Sequence, residues 1–338
     1  MPIDFFYKAC NPFNIKGLLM IKISHRIVII EGMPVHAALG LLFFAISLDL
    51  AAQAPAAQLP DRVAEEAEVL QSNAPRILTR ETLEQRSLMP PLRFRPRTGT
   101  PAQLASGPRY RVREVQSEFS FAILRDSKSK DLFECRQVVS IDGQPLQTED
   151  AALKALADGI RAGDDRSRKR MLEDFARTGL VDIATDYALI LLAFTSHAQK
   201  QMEFARGPQA YIGVDPAVAY TWKQKTSEGG AVEFNGLQSV HRALQGTLWV
   251  RASDGLPLRV SAWMEYRDAA GHLVRDDATV DYFLSQHGFL TPASVAHRHS
   301  SDGVLATENL YRYDPFRLFT ASSAISFGDL PDPPPVKK

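Results

Sequence analysis

The stretch Ala296-His297-Arg298-His299-Ser300 holds the chain's clearest candidate for chemistry. On a β-strand, side chains two apart share a face, so His297 and His299 project together. Two imidazoles so spaced, with a carboxylate such as Asp276 on a neighbouring strand, are the donor types that ligate zinc or pass a proton as an acid–base pair. The same trio also reads as a polar group satisfied within itself at the rim of a sheet. Other catalytic designs are missing: the sequence has no G-x-S-x-G, H-E-x-x-H, G-x-x-x-x-G-K-[ST] or G-x-G-x-x-G. Cys135, in the middle of "FECRQVV", reads as a small core residue rather than a nucleophile. Nothing calls for a cofactor.

These histidines lie in a chain that turns to strands after Met202. Gly255, Gly271, Gly288 and Gly303 each sit in a turn signal, at intervals of 16, 17 and 15 residues. That rhythm predicts an up-and-down antiparallel meander. Pairing the flanks of each turn sets Val250 against Leu258, Leu284 against Phe289 and Ser300 against Val304. One face then carries Leu248, Val250, Leu258, Val260, Met264, Val280, Tyr282 and Val295. The other carries Trp249, Arg259, Asp281, Pro292 and Arg312, and suits a cation–π contact between Arg259 and Trp249. In this register Asp276 lies opposite His297, with His299 one row further on. An apolar face of this kind is either plain core or the lining of a ligand site.

Upstream, residues 61–72 have helical spacing (Val63, Ala67, Leu70), and residues 77–87 read as a first strand. Tyr110–Leu124 and Leu132–Ile141 read as two more. Residues 88–108 form a proline-rich loop whose Arg93, Arg95 and Arg97 make a local basic cluster. A helical insertion follows over about 148–200, with Thr148 as a cap, Asp164 and Asp165 opening its second helix and Gly179 closing it. Its third part, Ile183–Gln199, is apolar nearly all round, which predicts a buried helix over the apolar face of the sheet.

Lys plus Arg equals Asp plus Glu at 39 each, so charge gives no ground for a nucleic-acid partner. Residues 37–48, "AALGLLFFAISL", precede the small residues "AAQAPAAQ", the pattern of a secretory signal peptide cleaved between Ala52 and Ala57. Residues 1–56 are therefore expected to be a signal peptide, with Met20 or Met33 as alternative starts. Cleavage leaves Cys135 alone and the chain without an internal disulfide. One domain over 57–327 and a disordered proline-rich tail over 328–338 complete the expected layout.

This order of elements, an N-terminal helix, early strands, a helical insertion and a long meander, resembles the LolA/LolB-type periplasmic proteins. The resemblance implies an α+β fold: a curved antiparallel half-barrel whose concave apolar face is covered by helices. It also implies binding of lipid, of a lipoprotein acyl chain or of an envelope partner, in the periplasm or outside the cell, with peripheral membrane contact allowed. The chain also resembles uncharacterised secreted bacterial proteins with "ETLEQ" early and "ENLYRYDPFRLF" late, a likeness that implies no activity. Two alternatives stand beside this reading. One is a metal-dependent or His/Asp hydrolase using Asp276, His297 and His299. The other is an outer-membrane barrel, for which strands of ~9 to 11 residues would suffice.

Overall fold

A computed structural model describes residues 58–90, 107–125, 131–181, 186–227, 231–235 and 238–318. The signal-peptide segment, the Arg93–Arg95–Arg97 cluster and the tail lie outside the described residues.

The first helix, α1 (Asp61–Asn73), buries the stripe Val63, Ala67 and Leu70. Pro75 helps to end it, and the chain turns into β1 (Ile77–Leu88). Then come β2 (Tyr110–Ile123), β3 (Leu132–Ile141) and the two-residue β4 (Gln144–Pro145). In α2 (Glu149–Ala162), the Thr148 side chain accepts from the Ala151 N–H, filling one of the donors a helix start leaves open. Asp164 caps α3 (Asp165–Thr178) in the same way, through the Ser167 N–H at 2.7 Å.

From Met202 the strands run on: β5 (Met202–Ile212), β6 (Asp215–Gln224), the small hairpin β7 (Ala231–Asn235) and β8 (Gln238–Arg242), then β9 (Gln245–Arg251). The meander continues through β10 (Pro257–Arg267), β11 (Leu273–Leu284), β12 (Leu290–Ser301) and β13 (Val304–Tyr313), with β14 (Arg317–Leu318) beside β1.

All but β7 and β8 form one antiparallel sheet, in the order β4-β3-β2-β1-β13-β12-β11-β10-β9-β6-β5. Its ends are β4 and β5, so the sheet is open: an α+β half-barrel, as the sequence pattern implies. An outer-membrane barrel needs closure, and the described strands do not close. Among the described residues no helix is long and apolar enough to cross a membrane, which says nothing about strands. The quoted segments "ETLEQ" and "ENLYRY" turn out to be neighbours, since Glu81 lies opposite Tyr313 and Gln85 opposite Asn309.

The register of β9, β10 and β11 is the expected one through Leu248, Val260 and Val280, but Val250 faces Pro257 rather than Leu258, because a bulge between Pro257 and Arg259 shifts the end of the β9–β10 hairpin by one. Strand β12 differs by two residues, so Val280 faces Val295 and Asp276 faces His299, not His297. Two one-residue effects add. The β11–β12 turn is longer by one, because Ser285 pairs with Phe289 through N–H to O at 2.9 Å and fixes Leu284 opposite Leu290. A bulge next to Asp281 and Tyr282 adds the second residue. On the other side of β12, Asp302 (φ 48°) and Gly303 (φ 77°) make a two-residue turn with both φ positive, the hairpin geometry that matches strand twist. That turn pairs Ser301 with Val304, and a bulge at His299/Ser300 again supplies the second shift. A shift of one would have turned every side chain of β12 over; a shift of two keeps the faces and moves only the rows. For the same reason the outward row holds Ser294 where Pro292 was expected. The cation–π pair described on that outward face is Arg275 over Trp263, 4.6 Å from the ring centre, while Arg259 grips Asp281.

The helical block splits into two layers. The α2 helix packs on β2 and β3 from the face of Cys135, whose Sγ lies 3.4 Å from where a Gly159 side chain would begin. Glu134 and Arg136 alternate with Cys135 and face the concave side. There α1 and the segment Tyr187–Phe194 cover the sheet.

Candidate functional site

The concave face is roofed by residues whose expected form was an α-helix. Tyr187–Phe194 is instead a 3-10 helix, followed by a short 3-10 turn at Ala198–Gln201. Side chains of the sheet explain the departure, because they take backbone groups that an α-helix would use internally. The Ala188 N–H donates to Glu134 Oε1 at 2.8 Å, and the Leu191 N–H donates to Tyr282 Oη at 3.1 Å. The Tyr282 hydroxyl donates to the Ala188 carbonyl at 3.2 Å. Asp186 does not cap the segment: its carboxylate accepts from the Glu134 N–H and pairs with Arg168.

Beneath this cover lie the residues the sequence proposes as a lining. Leu248, Val250, Leu258, Val260, Met264, Val280, Tyr282 and Val295 are all buried in one continuous apolar cluster that includes Leu189, Ile190, Leu191 and Phe194 of the cover. The structure therefore brings the eight together and shows them covered.

The concave face also carries two buried polar groups. One lies on β1 and β3. Arg136 holds Glu81 in a two-pronged ion pair at 3.0 and 3.1 Å and also contacts Glu134, and all three side chains are at most 3% exposed. Phe119 and Tyr311 lie against the guanidinium, with ring centres at 5.1 and 5.3 Å. Burial by itself would discharge Arg136; Glu81 and Glu134 more than reverse that and keep it cationic. Burial pushes the Glu134 carboxyl up to about 8, helped by Asp186 and Glu81 and opposed by Arg136. Burial raises the Glu81 carboxyl as well, against the pull of Arg136, so the two carboxyls together hold a proton more tightly than free ones do. Between these residues, burial pushes the Cys135 thiol up to about 12, which removes it as a nucleophile.

The second group is the predicted trio. Asp276 Oδ1 lies 2.5 Å from His297 Nε2, and its Oδ2 lies 2.9 Å from His299 Nδ1. Burial would raise the Asp276 pKa, but the hydrogen bonds and charges of the two imidazoles win and lower it to about 2. The Tyr187 ring packs on His297, centres 5.2 Å apart, and His297 Nδ1 is buried with no hydrogen-bond partner among the described residues. The three side chains thus meet, but as imidazoles bonded to a carboxylate. Among the described residues no three His, Cys, Asp or Glu side chains are arranged to hold a metal ion. One nitrogen of each imidazole is bonded to Asp276.

A third cluster joins the chain just after α3 to the sheet. Gln85 Nε2 donates to the Val181 carbonyl at 2.7 Å and to Asn309 Oδ1 at 2.8 Å, while Gln85 Oε1 accepts from the Val181 N–H at 3.2 Å. Gln85, Glu81, Glu134 and Arg136 escape a reading based on the meander alone. Their signal is present nonetheless: strict alternation along β1 and β3 assigns these polar residues to the inward side.

No family profile matches the chain, and no curated protein matches it. Among solved structures, a LolA superfamily protein from Nitrosomonas europaea is similar at 11% identity, covering 82% of this chain and 96% of its own, with a TM-score of 0.30. A DUF1329 family protein from Desulfovibrio piger is similar at 9% identity, covering 77% and 94%, with a TM-score of 0.31. These overlaps are partial, and the functional reading rests on this chain's own side chains.

Proposed function

We propose that the chain is an exported envelope protein that takes up an apolar ligand, a lipid, an acyl chain or an apolar segment of an envelope partner, against the concave face of its half-barrel. The ligand occupies the place of the Tyr187–Phe194 cover and meets Leu248, Val250, Leu258, Val260, Met264, Val280, Tyr282 and Val295. The observation that supports this reading is how the cover is held. It pairs with no strand; besides apolar contact, Glu134 and Tyr282 tether it by three hydrogen bonds. Such a segment can leave without breaking the sheet. The short apolar run before residue 57 supports export.

The test uses the chain purified without detergent and two fluorescent probes, a fatty acid and an apolar peptide. Saturable binding of at least one of them is expected. Tyr282→Phe keeps the ring and removes the hydroxyl that holds Ala188 and Leu191. With a hydrogen bond worth about 1 kcal/mol, the open population and the apparent affinity should rise roughly tenfold. Absence of saturable binding to both proteins, with near-ultraviolet circular dichroism showing native packing, overturns the reading.

A further inference from the structure

The covered face does more than exclude water from an apolar segment; it reads a polypeptide backbone. Gln85 contacts both the N–H and the C=O of Val181, as a neighbouring strand would. Glu134 accepts from the Ala188 N–H, and Tyr282 contacts the Ala188 C=O and the Leu191 N–H. Two sheet side chains thus make three hydrogen bonds to main-chain groups of the cover, and Glu134 is almost wholly buried.

An alkyl chain has no donor or acceptor. If it replaced the cover, Glu134 Oε1 and the Tyr282 hydroxyl would stay buried without the partners they now have, at a cost of about 1–3 kcal/mol for each group left unpaired. An apolar peptide with free amides refills every one of these bonds. We therefore propose, on the reading given above, that the ligand class of this face is an apolar polypeptide segment of another protein, bound in the manner of Tyr187–Phe194, and not a bare acyl chain.

The experiment uses the full chain as Leu191→Ala, which loosens the cover and leaves the recognising side chains untouched. Leu189→Ala serves if the first variant does not fold. The probe is a fluorescent peptide of the sequence Asp-Tyr-Ala-Leu-Ile-Leu-Leu-Ala-Phe with a solubilising lysine tail. Its twin carries N-methyl groups at the amides matching Ala188 and Leu191. Palmitate is the acyl competitor. Saturable peptide binding is expected, with the N-methylated twin weaker by at least about tenfold and palmitate unable to displace the peptide at equal concentration. Equal binding of the two peptides, or displacement by palmitate, overturns this inference and leaves the apolar-ligand function standing. Binding of neither peptide nor palmitate removes both.

Discussion

In β9–β13 most inward side chains are apolar, Leu248, Val260, Val280 and Val295 among them, and the outward side is wet and charged. In β1–β3 the inward positions hold Glu81, Gln85, Glu134 and Arg136, while the outward side of β2 and β3 is sealed by α2. One sheet therefore contains a half that is stabilised by burying hydrocarbon and a half that buries charge. The second half is where the cover is tied. Hydrocarbon contact is non-directional and lets a segment slide, whereas Glu134 and Gln85 fix which backbone group sits where. The apolar half supplies adhesion, and the polar half supplies position.

The largest way to break this contrast is Arg136→Met. It leaves two carboxyls buried without their cation and should cost about 3–5 kcal/mol in urea unfolding, the range for breaking a buried ion pair. Adding Glu81→Gln and Glu134→Gln to the same protein should restore more than half of the loss. A cost below about 1 kcal/mol for Arg136→Met alone would mean that the polar half does not depend on its charges.

The next effect is a pH dependence. Glu134 is raised from 4.5 to about 8 in the folded chain, so the folded state binds that proton more tightly. Its contribution is complete below about pH 4.5 and is lost as pH rises to 8. Asp276 works in the opposite sense: lowered from 3.8 to about 2, it contributes above 3.8 and loses that contribution as pH falls through 2. The melting temperature should therefore fall between pH 5 and 8, and Glu134→Gln should flatten that limb. A wild-type profile that is level over this range would contradict the upward shift of the Glu134 carboxyl.

The smallest effect belongs to the wet face of the other half. Arg275 lies over Trp263 with 43% of its side chain exposed, and Arg275→Ala should cost only about 0.5–1 kcal/mol. A loss as large as that of Arg136→Met would erase the distinction between the two halves.

Legibility in the sequence follows the same division. The alternation of β9, β10 and β11 is clean because one face is wet, and turn positions alone yield the correct rows except at Val250, which a bulge sets opposite Pro257. The pairing of His299, rather than His297, with Asp276 was not legible, since it depends on one turn and one bulge whose backbone geometry is not written in hydrophobicity. The faces survived because those errors came in pairs. Strand β2 buries six residues in a row, from Ser117 to Ala122, so period-two reasoning had nothing to grip. The 3-10 form of Tyr187–Phe194 was hidden for another reason: it follows from bonds made by Glu134 and Tyr282, roughly 50 and 90 residues away in sequence, and local helical preference carries no trace of them.

The seam between β1 and β13 has a consequence for how the chain comes together in time. Thr79 Oγ1 donates to the Asp314 carbonyl across 235 residues of chain. A chain emerging from its N-terminus presents β1 long before β13 exists, with one row of strand N–H and C=O groups waiting for a partner. Joining the halves adds little to the equilibrium cost, because closure entropy grows only logarithmically, but contacts this distant are slow to form. The early strands thus face a long interval in which another chain's edge can take the place reserved for β13, and anything that guards that edge during synthesis decides the yield of correctly folded protein.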